Sequence, residues 1–349
     1  MMLTMLPSTA FAKETKAEAW DGKAVDTSWY AEDKTSYEIS SADQLAGLSQ
    51  LVNEGKSFKG KTVSLTDDID LNNKEWTPIG KSGKTFQGTF DGKNHVISNL
   101  SINTPKKNDI GLFGYTSGGA IKNFQVKDAT VKGRMCVGVI AGTPHTADYA
   151  NITVSGKVIV EGYAYVGGAC GKNAYGDITN VDITGEAGSY VKAESEQYRT
   201  YVGGLVGFMG EGNQTVKDCD VKIDVIGSTC DVGGILGILH YGNTLQNCTY
   251  EGSLTITKPD AEDGSEFGAL VGTIYNGKDK VSTTIKDCEA TVNQATSGGK
   301  DVTDTITPHG DFYNKTESGS LEDITIDAII NGSHVAITNA VAKIGNTKH

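Results

Sequence analysis

Four groups of side chains in this sequence have types and spacings that could do chemistry. Asp182, Asp220 and Glu289 each lie one residue past an apolar position in a repeated pattern. Carboxylates converging across a cleft would suit glycoside hydrolysis. Spread along a repeat axis, they equally describe a solvated face. Asp67, Asp68, Asp70, Asn72 and Asn73 are oxygen ligands of the kind calcium takes. They lack EF-hand spacing, and Ile69 and Leu71 alternate with them as on a strand edge. The cysteines, Cys136, Cys170, Cys219, Cys230, Cys248 and Cys288, include no Cys-x-x-Cys pair for a metal. An even count in an exported chain would suggest disulfides. The last group is a set of tyrosines near glycine-rich blocks, which suits binding more than catalysis.

No phosphate loop, nucleophile elbow or Ser/His/Asp order stands out. A polysaccharide lyase would want calcium beside a basic proton acceptor. With Arg134 and Arg199 the only arginines, that base would be a lysine. No catalytic residue, metal or cofactor is therefore expected.

The elements that must position these groups are written as a repeat. The blocks Ile110–Gly114, Val137–Gly142, Val166–Gly171, Val202–Gly207, Val232–Gly237 and Phe267–Gly272 recur every 27 to 36 residues. After each comes an Asn or Asp directly before an apolar residue: Asn123, Asn151, Asn180, Asp218, Asn247 and Asp287. A two-residue alternation follows, which means strands, and Asn or Asp suits a tight left-handed bend. Strands and bends at this period predict an all-β, right-handed parallel β-helix, a solenoid with one coil per repeat. One repeat buries too little to fold alone, so coils must stack and the ends need caps. Phe124, Ile152, Val181, Cys219, Cys248 and Cys288 share one repeat position, and Cys170 shares another with Ala141, Val206, Leu236 and Val271. These cysteines read as small core hydrophobes, free rather than paired.

Residues 41–55 start with a Ser-x-x-Gln capping box and end at glycine. Their apolar positions share one helical face, predicting a helix that plugs the open end. The segments expected are a signal-peptide remnant at 1–12, an N-terminal cap at 13–60, the six repeats at 61–295, and a last coil or cap at 296–349. The remnant rests on Ala10-Phe11-Ala12 behind a short apolar run that no Lys or Arg precedes. The chain is thus expected to be secreted or on the cell surface. A net charge of −12 argues against a nucleic-acid partner, and no run is long enough to insert in a membrane.

The glycine blocks resemble the GLUG repeat of exported bacterial proteins, and residues 65–102 look like the segment that commonly precedes such repeats. The resemblance implies a β-helix on a secreted or surface protein, and no reaction. Such repeats accompany immunoglobulin-A-cleaving zinc proteases, whose activity resides in a separate domain bearing His-Glu-x-x-His. No histidine here is followed by glutamate.

The function expected is adhesin-like binding, by a monomer, of a host glycoprotein (immunoglobulin or mucin) or a glycan. A polysaccharide-active enzyme and a passive surface stalk stay open. Two features carry the binding reading. Tyr115, His145, Tyr175, Met209, Tyr241 and Tyr275 fall just after the glycine blocks, as one ladder. The insertions from Gly185 and Lys258 fall at one phase of the repeat, the first bearing Tyr190, Tyr198, Arg199 and Tyr201. Stacked aromatics and tolerated surface loops are the plainer readings of both.

Overall fold

The structure, a computed structural model, describes residues 19–195, 200–210, 212–259, 267–276, 283–314 and 324–338. Residues 1–12, Tyr198, Arg199, most of the insertion from Lys258 and the start of the segment from Leu321 lie outside them. Nearly every element is a β-strand, and the strands form three sheets of 17, 5 and 7 members. Pairing between repeats is parallel. Phe124 pairs with Ile152 and Ile152 with Val181, while Cys170 pairs with both Ala141 and Val206.

Each bend residue adopts left-handed backbone: Asn123, Asn151, Asn180, Asp218, Asn247 and Asp287 have φ between 50° and 58°. These residue types tolerate that region best after glycine. The apolar residue after each bend therefore turns inward. Phe124, Ile152, Val181, Cys219, Cys248 and Cys288 are all buried.

The glycine blocks do a different job. A Cβ at Gly203 would stand 2.3 Å from Val206 O of its own repeat, 2.6 Å from Gly237 N and 2.7 Å from Ile235 O of the next. All are backbone atoms, which cannot swing away. Glycine here permits contact of main chain on main chain, and the left-handed turns fall elsewhere.

The expected right-handed β-helix solenoid, built from simple coils behind a capping helix, is corrected. In the largest sheet the pairings close on themselves. Asp148–Gly162 pairs with Ile178–Gly185, then in turn come Thr215–Lys217, Thr244–Gln246, Thr283–Ser297, Thr249–Ile256, Asp224–Gly227 and Tyr190–Ala193. The last pairs back with Asp148–Gly162, closing a ring of eight parallel strands. The physical cause is strand length. Asp148–Gly162 and Thr283–Ser297 run for 15 residues each, long enough to carry two separate partners on one side. Alternating polarity signals a strand but does not say where the strand stops pairing.

The one α-helix among the described residues is Ala42–Glu54, with Leu45, Leu48 and Val52 fully buried. Its Ser41 side chain makes no capping bond; Gln44 Oε1 instead accepts from Ser40 N at 2.8 Å. Gly55 ends it at φ 120°. Aromatic contacts run from Trp29 through Phe58, Phe86, Phe113 and Phe90 to Phe124. No helix among the described residues is long and apolar enough to cross a membrane.

Candidate functional site

Two sheets meet along an edge where outward-facing aromatics of neighbouring repeats touch. The five-stranded sheet contributes Tyr165 and Tyr201, whose rings stack at 6.0 Å with planes 6° apart. Both precede the first valine of a glycine block. Phe208, directly after the Val202–Gly207 block, comes from the seven-stranded sheet and meets them edge-on at 5.1 and 6.0 Å. His240 lies 4.8 Å from Phe208, and Tyr275 lies 4.7 Å from His240. Further along, Tyr115, His145 and Tyr175 continue the band at 6.4 and 5.5 Å. Tyr175 is 54% exposed, unusual for a tyrosine in this molecule.

Between the two halves of the band is a cleft of about 360 Å³, lined by Tyr115, Thr143, His145, Lys172, Tyr175, Phe208 and His240 among others. Lys172 Nζ stands 5.0 Å above the Phe208 ring, a favourable place for a cation. Behind the lining, Asp109 accepts from Thr143 Oγ1 at 2.5 Å. Burial pushes the Asp109 carboxyl above its ordinary range.

The expected tyrosine ladder is thus two adjacent rows. Tyr115 pairs with Thr143, whereas His145 pairs with Ser117 and Tyr275 with His240. Met209 is buried and belongs to neither. Of the residues expected from sequence, Tyr175, Tyr201, Tyr241 and Tyr275 belong to the band or adjoin it; Tyr241 approaches His240 at 6.4 Å. Tyr190 does not. It sits in the large sheet, donating to Glu161 at 2.5 Å. That carboxylate and burial push the Tyr190 hydroxyl up to about 12. Tyr165, Lys172, Phe208 and His240 escaped sequence reasoning. The recurrence of Tyr before "VGG" at Tyr165 and Tyr201 was the available signal.

The other chemical candidates resolve into structure. Asp220 N donates to Asp182 Oδ1 at 2.9 Å, and Thr249 Oγ1 to Asp220 Oδ1 at 2.7 Å. These carboxylates tie repeats together. Asp70 Oδ1 accepts from Asn72 N and Asn99 Nδ2, both at 2.7 Å. Among the described residues no group of three His, Cys, Asp or Glu is placed to hold a metal. Cys136, Cys170, Cys219, Cys248 and Cys288 are buried free thiols.

The chain matches no protein-family model. It is 26% identical over 275 residues to the immunoglobulin A1 protease of Streptococcus sanguinis, covering 76% of this chain and 14% of that protein. It is 34% identical over 148 residues to halomucin of Haloquadratum walsbyi, covering 39% of this chain and 2% of halomucin. The chain therefore spans a small fraction of either relative. A solved structure from Bacteroides ovatus, named a "putative immunoglobulin A1 protease", superposes with a TM-score of 0.54 at 19% identity. The match covers 88% of this chain and 81% of that one, a likeness of fold.

Proposed function

We propose that this chain is a binding module of a secreted or cell-surface bacterial protein, built of GLUG-type repeats, that recognises glycan chains of a host glycoprotein. The observation that carries the reading is the aromatic band with its cleft. Sugar rings present flat apolar C–H faces, and exposed aromatic rings stack on them with little loss of side-chain entropy. The likeness to an immunoglobulin A1 protease and to a halomucin supports a place outside the cell and a glycoprotein partner such as immunoglobulin or mucin. Proteolysis belongs by name to the streptococcal relative; the binding role is the part we assign to this chain.

The test is a titration of the purified chain with immunoglobulin and mucin glycopeptides, alongside Tyr175→Ala and Phe208→Ala. Each substitution should weaken binding about tenfold or more and leave the melting temperature nearly unchanged for the exposed Tyr175. Wild-type affinity in both variants would remove the band from the binding surface. No binding by the wild-type chain would favour a stalk.

A further inference from the structure

Resting on the glycan-binding reading above, we infer that the cleft selects an acidic sugar, one bearing a carboxylate or sulfate, with Lys172 as its charge partner. The chain carries a net charge of −12, so a cleft that excludes acids runs against the composition. Among the described residues, the lining includes Lys172, His145 and His240 and no carboxylate.

Several outward lysines of the repeats are neutralised in place, whereas Lys122, Lys127 and Lys157, like Lys172, form no ion pair among the described residues. Lys132 pairs with Glu161 at 2.8 Å, Lys192 with Glu194 at 2.6 Å and Lys222 with Glu251 at 2.9 Å. Among the described residues, no carboxylate stands within ion-pair distance of Lys172. Asp109, the acid closest in influence, has one oxygen engaged by Thr143. Lys172 instead lies over the Phe208 ring in the cleft lining, a contact that leaves its N–H donors available.

A pyranose stacked on the exposed Tyr175 ring, in the same cleft as Lys172, would bring a ring substituent to this ammonium. A hydroxyl there accepts a hydrogen bond from the cation. A carboxylate or sulfate accepts the same bond and adds the attraction of opposite charges. The selectivity should also fade with salt, because the cleft is open to solvent.

An array of matched neutral, carboxylate-bearing and sulfate-bearing glycans, probed with wild type, Lys172→Met and Tyr175→Ala, tests this. Methionine keeps an apolar stem against Phe208, and circular dichroism checks folding. The expected result is a preference of about tenfold for acidic over matched neutral glycans. Lys172→Met should abolish that preference by weakening acidic glycans more than neutral ones, which lose only the hydroxyl's bond, and Tyr175→Ala should weaken both classes alike. Whether carboxylates or sulfates are retained distinguishes the two acids. Equal binding of neutral and acidic glycans, or a preference untouched by Lys172→Met, overturns the inference and leaves the glycan reading standing. Binding of no glycan by wild type overturns both.

Discussion

Asn151 Nδ2 donates to Asn123 Oδ1 at 3.0 Å, although the two residues are 28 apart in the chain. The bond is one rung of a row. Asn123 donates to Asp91 at 3.0 Å and Asn180 to Asn151 at 2.9 Å. The row exists because each bend takes left-handed backbone at the same place in successive repeats. Equivalent side chains then stand about 4.8 Å apart, the reach of an amide-to-amide bond.

Replacing Asn151 with Ala should lower stability by about 2 to 3 kcal/mol in urea denaturation. The loss combines a left-handed residue without a side-chain hydrogen bond and two broken rungs. Asn151→Gly, which relieves the backbone alone, should recover part of it. Full stability in Asn151→Ala would show that the row is incidental.

The row also contains a mismatch. Above Asn180 comes Asp218, which accepts from Asn247 Nδ2 at 2.7 Å but has no N–H to give Asn180 Oδ1. Asp218→Asn keeps the acceptor and adds the donor. It should raise stability by about 1 kcal/mol, read as a higher urea midpoint at unchanged slope. A lower midpoint would refute this.

Gly203→Ala should be among the most damaging small changes. The added methyl meets main chain of its own and the next repeat, and we expect a loss of about 3 kcal/mol, with the melting temperature as the readout. A shift within error would mean the backbone here can relax.

The thiols should be inert in the folded protein. Burial pushes Cys136 up to about 11 and Cys170 higher still, and a buried, protonated thiol reacts slowly. Alkylation of the native protein should label none of the five buried cysteines, and labelling after unfolding should reach all five. Cys248→Asp should abolish folding, since an unpaired charge in that core costs several kcal/mol.

Glu161 should contribute to acid lability. Burial acts to raise its pKa, but the hydrogen bonds from Lys132 and Tyr190 outweigh this and the carboxyl stays below its ordinary value. A depressed folded-state pKa means the contribution is present above the unfolded value, about 4.3, and is lost as pH falls through the folded one. Glu161→Gln should therefore be about 1 kcal/mol less stable than wild type at pH 7 and nearly equal to it at pH 3. A difference independent of pH would place the effect in packing.

The sequence by itself determined the local grammar of this protein. Alternation made strands, Asn and Asp before an apolar residue made left-handed bends, and the shared position of Phe124, Ile152, Val181 and the three stacked cysteines made them core. These signals are local or strictly periodic, so they survive in one dimension. Two things were decided only in three dimensions. How far a strand goes on pairing beyond a bend depends on its partners, and that closed eight parallel strands into a ring where simple coils were expected. Which aromatics touch depends on how two sheets meet. Tyr165, Phe208 and His240 stand at different positions of different repeats, and only the packed edge brings their rings within 6 Å. Tyr190, as prominent as any in the sequence, is turned by its sheet toward Glu161 and away from the band.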